Sequence, residues 1–226
     1  MKWVPDKAGR FPERPHYEPQ ELDSECERIV ENFLLSRHRE VKYPISTDDL
    51  ILMLEKVAQS LDLYAELSEE DVWGETTFLP GKKPKVRISK LLSENERFEN
   101  PFRTTLTHEF SHVHLHAFLY EMKASGRPSV CRRAQIQSPT EYDWMEWQAG
   151  YCSGALLMPK SAVQRLIYEL SKRWGFMTEA AETGTLQGQV LIAGVSETFR
   201  VSEDAARVRL VKLGYFVEGA SRLNVL

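Results

Sequence analysis

The sequence has no long apolar run. None of its apolar stretches approaches the ~18 residues that a membrane-spanning helix needs, although hydrophobic residues make up 42% of the 226 positions. Residues 1–14 are charged and contain prolines, and they lack the apolar centre of a secretory signal. The composition therefore predicts a globular chain that has no membrane partner.

Cysteine is scarce. Cys26, Cys131 and Cys152 are the three present, and no two of them form a C-x-x-C pair. This pattern excludes a disulfide scaffold and a zinc finger built on paired cysteines, and it fits a reduced, cytoplasmic location best. Cys152 falls within an apolar helical stretch, where we expect it to be a small core residue.

Positive charge is not in excess, because the formal net charge is −4 and the sequence pI is about 5.9. A protein that binds nucleic acid needs a clustered positive surface to neutralise phosphates. Arg207, Arg209 and Lys212 are basic, but Glu203 and Asp204 open the same helical stretch, which is typical of a solvated face. We therefore do not expect direct binding to nucleic acid.

The apolar patterns along the chain are typical of an α+β protein. The first twenty residues are rich in proline and charge, so we expect an extended or partly disordered lead-in over 1–20. Residues 72–79 and 85–89 are β-rich with a Pro80-Gly81 turn signal between them, and residues 123–140 are predicted to be a loop. Helices are predicted over 19–39, 46–61, 102–119, 141–158, 160–173, 184–198 and 202–213. The expected fold is mostly helical, with a small sheet before the 102–119 helix.

The most informative motif is the stretch H-E-F-S-H at residues 108–112. His108 and His112 are four residues apart, so on a helix they lie on one face and both imidazoles can reach one metal ion. Glu109 lies about 100° round the helix, which suits a carboxylate that holds a water beside the ion. This H-E-x-x-H arrangement is typical of zinc peptidases, in which the glutamate is the general base.

A catalytic zinc site needs a third protein ligand. His114 lies about 200° from His112 round the helix and faces away, and His116 would stretch three histidines over about 12 Å of rise. The ligand is therefore expected from a second helix. The candidates there are Glu141, Asp143 and Glu146. Glu146 is preferred, because the small residues at 149 and 150 would allow a close approach to another helix.

Three stretches of the sequence resemble the ImmA/IrrE family of metallo-endopeptidases. Residues 103–116, RTTLTHEFSHVHLH, are similar to the family's R-F-T-L-A-H-E-L-G-H-L-L-L-H stretch. Residues 146–159, EWQAGYCSGALLMP, resemble its second motif, E-x-x-A-N-x-F-A-A-x-L-L-M-P. Residues 201–214 look like its C-terminal V-S-x-x-A…R-L-x-x-L-G. The motifs occur in the family's order, and the resemblance covers about residues 46–215.

The resemblance implies a zincin-like metallopeptidase domain, which we expect over 21–200, with the C-terminal helix and tail over 201–226 packed on the same domain. It also implies one Zn²⁺ per chain and Glu109 as the catalytic base. The zinc ligands that it implies are His108, His112 and Glu146.

One position departs from the family pattern, because Gly150 stands where the family usually has Asn or Asp. A polar residue there could hydrogen-bond a ligand histidine and hold its orientation. With glycine, either another group orients the ring or the metal binds more weakly.

The family resemblance implies a protein substrate, typically a helix-turn-helix repressor of a phage, mobile element, stress regulon or toxin–antitoxin pair, encoded nearby. Cleavage would relieve repression. The alternative is a metal-bound interaction protein that does not cut its partner, such as a toxin–antitoxin component. Gly150 favours the alternative, whereas an intact Glu109 opposes it, because a structural zinc site needs no base.

Several residues near the motifs have roles that the sequence leaves open. Peptide hydrolysis needs a donor for the oxyanion; the candidates are His116, Tyr151 and Tyr142. His116 also fits a structural histidine bonded to the backbone. Arg103 is expected to pair with an acidic neighbour, and Trp144 and Trp147 are expected to pack the second helix.

Overall fold

A computed structural model describes residues 1–67, 72–121, 129–134, 143–176 and 180–216. The chain forms two compact units, Met1–Leu157 and Met158–Leu226. The boundaries expected from the sequence, after residues 20 and 200, stay predictions.

The first unit begins with a hairpin of β1 (Lys2–Pro5) and β2 (Glu13–His16), which pair antiparallel. This N-terminal hairpin lies where the sequence predicts an extended or partly disordered lead-in. Asp6 organises its loop, because the carboxylate accepts hydrogen bonds from the backbone N–H groups of residues 8, 10 and 11. It also accepts one from Trp144 Nε1 at 3.1 Å, which ties the hairpin to a later helix.

Two helices follow the hairpin. α1 (Pro19–His38) begins at Pro19, as predicted. α2 (Thr47–Val57) has Ser46 as its N-cap, and the Ser46 hydroxyl accepts a hydrogen bond from the backbone N–H of Asp49.

The prediction that the second helix reaches residue 61 is wrong. The helix ends at Val57, and β3 (Ser60–Ala65) follows it. β3 pairs parallel with β5, with Leu61 opposite Val86. The stretch SLDLYA alternates apolar and polar residues, so it also fits a strand, and pairing with a distant strand decides between the two patterns.

The sheet has the strand order β3–β5–β4–β6 among the described residues. β4 (Val72–Leu79) and β5 (Lys82–Ser89) form the predicted hairpin, with Gly81 at φ +65° in its turn. β6 (Ser129–Ala134) pairs antiparallel with β4, so the prediction of a loop over the whole of 123–140 is wrong. Its β4 partner lies more than fifty residues earlier in the chain, and no local pattern marks such a pairing.

The helix that carries the H-E-x-x-H motif is enclosed on several sides. After α3 (Lys90–Ser93) and a 3-10 turn at Glu96–Phe98, α4 (Glu99–Glu121) packs against α2, β4, β5 and α5 (Trp144–Leu157). Arg103 is fully buried and donates to the Ile45 carbonyl and the Thr47 hydroxyl, which fixes the start of α4 against the start of α2.

The second unit contains α6 (Lys160–Trp174), α7 (Leu186–Phe199) and α8 (Glu203–Lys212). Ser202 caps α8 by accepting from the backbone N–H of Ala205, and Gly214 at φ +81° follows its end, both as expected. Arg209 is buried and donates to the Met158 carbonyl, and Arg207 pairs with Asp204. The basic residues of α8 therefore do not form one exposed cationic face.

The architecture is α+β, as predicted, with mostly helices and small sheets. Among the described residues, no helix is both long enough and apolar enough to span a membrane.

Candidate metal centre

His108, His112 and Glu146 converge at one point between α4 and α5. The Nε2 atoms of His108 and His112 are 3.1 Å apart. Glu146 Oε2 lies 3.1 Å from His108 Nε2, and Glu146 Oε1 lies 3.2 Å from His112 Nε2. The three side chains that the sequence predicts as ligands are thus brought together, although Glu146 lies 34 positions after His112 in the chain.

Small side chains allow the two helices to approach each other. The hydroxyl of Thr107 on α4 lies 2.8 Å from the hydroxyl of Ser153 on α5, and Ser153 also donates to the Thr104 carbonyl. Ala149, one turn before Ser153, is fully buried. These residues set the spacing that places Glu146 opposite the two histidines.

The donor set fits a divalent cation. Ligand atoms ~2.0–2.1 Å from a tetrahedral zinc are roughly 3.3 Å apart, close to the 3.1–3.2 Å edges of this triangle. Two imidazoles and one carboxylate are also the donors of catalytic zinc sites that keep one position open. The imidazoles are buried, whereas 22% of the Glu146 side chain is exposed, so the centre has one wetter side.

The electrostatics also suit a cation. Burial raises the pKa of Glu146, but the hydrogen bonds with His108 and His112 outweigh burial and hold that pKa well below its usual range. Burial lowers the pKa of His112, yet the hydrogen bond with Glu146 outweighs it, and the pKa of His112 is raised. Both pKa shifts mean that the Glu146 carboxylate and a positive charge beside it stabilise one another.

Glu109 is fully buried and lies against strand β4. The Thr76 hydroxyl donates a 2.6 Å hydrogen bond to Glu109 Oε2. A Cβ atom at Gly74 would come within 2.5 Å of Glu109 Oε1 and 2.7 Å of Thr105 Cγ2. Only glycine therefore allows this carboxylate to lie so close to the strand.

His116 lies behind His112 and is not placed as an oxyanion donor. Its Nδ1 is 3.1 Å from His112 Nδ1, on the opposite side of the His112 ring from Nε2, and its own Nε2 is 3.0 Å from Gln148 Oε1. Burial, followed by the neighbouring His112, lowers the pKa of His116 well below its usual value. Of the two interpretations of the sequence, an oxyanion donor or a structural histidine bonded to the backbone, the second is closer. The partners of His116, however, are side chains and not the backbone.

Other candidates from the sequence are engaged elsewhere. Asp143 pairs with Arg10 through two hydrogen bonds of 2.5 and 2.8 Å, and the Tyr151 hydroxyl donates to Asp23. His114 is exposed and contacts the Glu25 carboxylate at 3.0 Å, so it faces away from the centre, as predicted. The candidates at positions 141 and 142 lie outside the described residues.

The expected packing residues are in the core or beside it. Trp144 is buried and donates to Asp6, and Trp147 packs at a tilt against Tyr151. Cys152 is a buried free thiol, which confirms its prediction as a small core residue.

Sequence reasoning missed three residues around the centre, namely Gly74, Thr76 and Gln148. A glycine within a β-rich stretch is a known sign of close backbone approach, so Gly74 could have been found. Thr76 and Gln148 carry no such signal, because threonine is common in strands and glutamine is common in helices.

The IrrE N-terminal-like domain of peptidase family M78 matches residues 61–211. Neither a curated protein nor a solved structure matches the chain significantly. The matched range holds strands β4 and β5, the H-E-x-x-H helix and Glu146, and it covers more than half of the chain. The converging histidines, the buried glutamate beside them and this match agree, and the chain belongs to the IrrE N-terminal-like family of metallopeptidases.

Proposed function

We propose that this metallopeptidase is a zinc endopeptidase with one Zn²⁺ per chain, held by His108, His112 and Glu146. The observation that carries the proposal is the convergence of these donors beside Glu109, a buried carboxylate on the same helix. A structural zinc site would need no such carboxylate, because its four positions are closed by ligands.

Glu109 would serve as the general base. The bound zinc would supply a Lewis acid that activates a water molecule and polarises the peptide carbonyl. Glu109 accepts a proton from the water as the water oxygen attacks the carbonyl carbon. The same carboxyl group then gives that proton to the amide nitrogen as the C–N bond breaks, which regenerates the carboxylate.

Strand β4 would hold this base in position. The Thr76 hydrogen bond occupies Glu109 Oε2, and the gap at Gly74 leaves room for Oε1. A carboxylate held by a hydrogen bond at one oxygen loses less freedom when the reaction begins, which is how positioned groups contribute to rate.

The substrate that we propose is a helix-turn-helix repressor encoded near this gene, in a phage, mobile element, stress or toxin–antitoxin context. The resemblance to the ImmA/IrrE family supports this, and membership of a peptidase family supports a protein substrate. We propose a cytoplasmic location, which goes with such a substrate and agrees with three buried cysteines that form no disulfide with one another.

The test is to incubate the purified chain and Zn²⁺ with the regulator encoded beside its gene. The wild type should cut the regulator at a discrete site, and Glu109→Gln should cut roughly 10²–10⁴-fold more slowly while it keeps its zinc. Glu25→Gln, which changes an α1 carboxylate away from the centre, is the matched control and should cut like the wild type.

Equal cutting by Glu109→Gln would overturn the proposed role of Glu109. The alternative, a non-proteolytic interaction protein, would instead be favoured by two results together. The wild type would not cut the regulator, and Glu109→Gln would keep full partner binding and full biological activity. Gly150 gives that alternative little support in the structure, since a Cβ there would meet no atom within 4 Å and His112 already has His116 as a partner.

A further inference from the structure

An unbroken chain of hydrogen bonds runs from the N-terminal hairpin to His112. The Pro15 carbonyl lies 2.9 Å from Gln148 Nε2, and Gln148 Oε1 lies 3.0 Å from His116 Nε2. His116 Nδ1 lies 3.1 Å from His112 Nδ1. The remaining ring nitrogen, His112 Nε2, is the atom that faces His108 and Glu146.

The chemistry of each partner sets the direction of this chain. The Pro15 carbonyl can only accept, so the Gln148 amide must turn its NH₂ group toward it and its oxygen toward His116. An amide oxygen can only accept, so His116 Nε2 carries the proton. A neutral imidazole has one donor and one acceptor, so His116 Nδ1 accepts and His112 Nδ1 donates. The free lone pair of His112 is then on Nε2, where a metal ligand needs it.

The chain is closed to water over its whole length. His112, His116 and Gln148 are each 0–1% exposed, and Pro15 is buried on strand β2. The indole of Trp144 meets the His116 ring edge-to-face, with the ring centroids 5.5 Å apart. A broken link would therefore leave a buried polar group without a solvent partner.

We propose that this chain, the Pro15 relay (Pro15, Gln148, His116 and His112), sets the tautomer and orientation of His112 for metal binding. The N-terminal hairpin is then part of the metal centre, although it lies outside the residues 61–211 that match the family. His116 and Gln148 are positioning residues that act through His112. They supply a hydrogen bond that orients a ligand histidine, which Gly150, having no side chain, cannot supply. The inference rests on the proposed ligand set.

Zinc affinity tests the relay without any substrate. In competition with a chromophoric chelator, His116→Leu should bind Zn²⁺ about 10–100-fold more weakly than the wild type, as expected when a partner of a ligand histidine is lost. His116→Gln keeps an acceptor near His112 Nδ1 and should recover most of this loss. Gln148→Met should weaken zinc binding in the same direction. His114→Leu, the control on the exposed face of the same helix, should bind zinc like the wild type.

Nitrogen-15 NMR of the histidine rings tests the same relay in the wild-type protein. In zinc-free samples at alkaline pH, the protons should reside on His116 Nε2 and His112 Nδ1. A proton on His116 Nδ1, or wild-type zinc affinity in a natively folded His116→Leu, would overturn the inference while leaving the proposed peptidase intact. A wild type that binds no zinc but shows the expected tautomers would overturn the zinc site and keep the hydrogen-bond chain.

Discussion

The two faces of α4 carry the same residue type in opposite roles. On the inner face, His108, His112 and His116 follow one another at four-residue spacing, and each is at most 2% exposed. On the outer face, the His114 side chain is 33% exposed and contacts Glu25, which is itself partly exposed. Two residues along the chain therefore separate a candidate zinc ligand from an ordinary surface histidine.

The difference comes from what each face meets. The inner face packs against α5 and β4, which bring a carboxylate, a hydroxyl and an amide to the imidazoles and to Glu109. The outer face meets α1 and solvent, where water can replace any partner. Residue type permits metal binding, but enclosure by other elements is what makes it possible here.

We expect the largest difference between the two faces of α4 when a histidine on each face is replaced by alanine. His112→Ala removes one of three proposed ligands and should abolish stoichiometric zinc binding, whereas His114→Ala should leave the zinc content unchanged. Metal analysis of the purified proteins after dialysis measures both. Stoichiometric zinc in His112→Ala, or zinc loss in His114→Ala, would break the comparison.

Gly74→Ala should distinguish the role of the base, Glu109, from that of the metal ligands on the inner face. The new Cβ would force Glu109 and Thr105 to move, and a displacement of about 1 Å costs on the order of 10²-fold in rate. Zinc content should be retained, because the three atoms nearest the new Cβ belong to Glu109 and Thr105 and not to a proposed ligand. Cleavage rate and metal analysis on the same sample measure the two effects.

Gly150→Ala is the matched control for Gly74→Ala, because its Cβ would point into open space. In an exposed helical position, alanine should raise the free energy of unfolding by up to about 1 kcal/mol. Unchanged cleavage by Gly74→Ala would show that Glu109 is not held by the strand.

Thr76→Val should have a smaller effect of the same kind. The isosteric change removes one hydrogen bond to a buried carboxylate, which is worth roughly 1.5–3 kcal/mol, or about 10–100-fold in rate if it is fully expressed in the transition state. Thr77→Val on the opposite face of β4 is the control, since neighbouring side chains in a strand point to opposite faces. Equal cleavage rates for the two variants would contradict the role of Thr76.

Glu25→Gln changes the α1 carboxylate that contacts the outer face of α4. This variant should have the smallest effect. Burial raises the pKa of Glu25, but hydrogen bonds with Arg28 and His114 outweigh it, so the pKa is lowered. The contribution of Glu25 to the free energy of unfolding is therefore complete above its unfolded-state pKa. It is lost as the pH falls through its folded-state pKa. Because the pair is partly exposed, we expect at most about 1 kcal/mol at pH 7.

Urea unfolding of Glu25→Gln and wild type at pH 7 and in the acid range measures this contribution. The difference in unfolding free energy should shrink toward zero as the solution becomes more acidic. A difference that grows in acid would contradict the sign of the pKa shift.

Local patterns located most of the helices and the β4–β5 hairpin. Pro19 at the start of α1, Ser46 before α2 and Ser202 before α8 each act on the residues next to them. Caps and periodicity are short-range effects, so they can be read from a few consecutive residues. The two errors in the sheet, at β3 and β6, concern strands whose partners are distant in sequence.

The sequence alone determined that His108 and His112 share one helix face and that Glu109 follows the first of them, because helix geometry spaces neighbouring residues regularly. Only the tertiary structure decided that Glu146 and not Asp143 meets the two histidines, since Arg10 of the N-terminal hairpin engages Asp143. It also decided that Thr76 holds Glu109 and that Pro15 and Gln148 stand behind His116. Each of these contacts joins elements far apart along the chain, and packing of whole elements, which no local pattern encodes, brings them together.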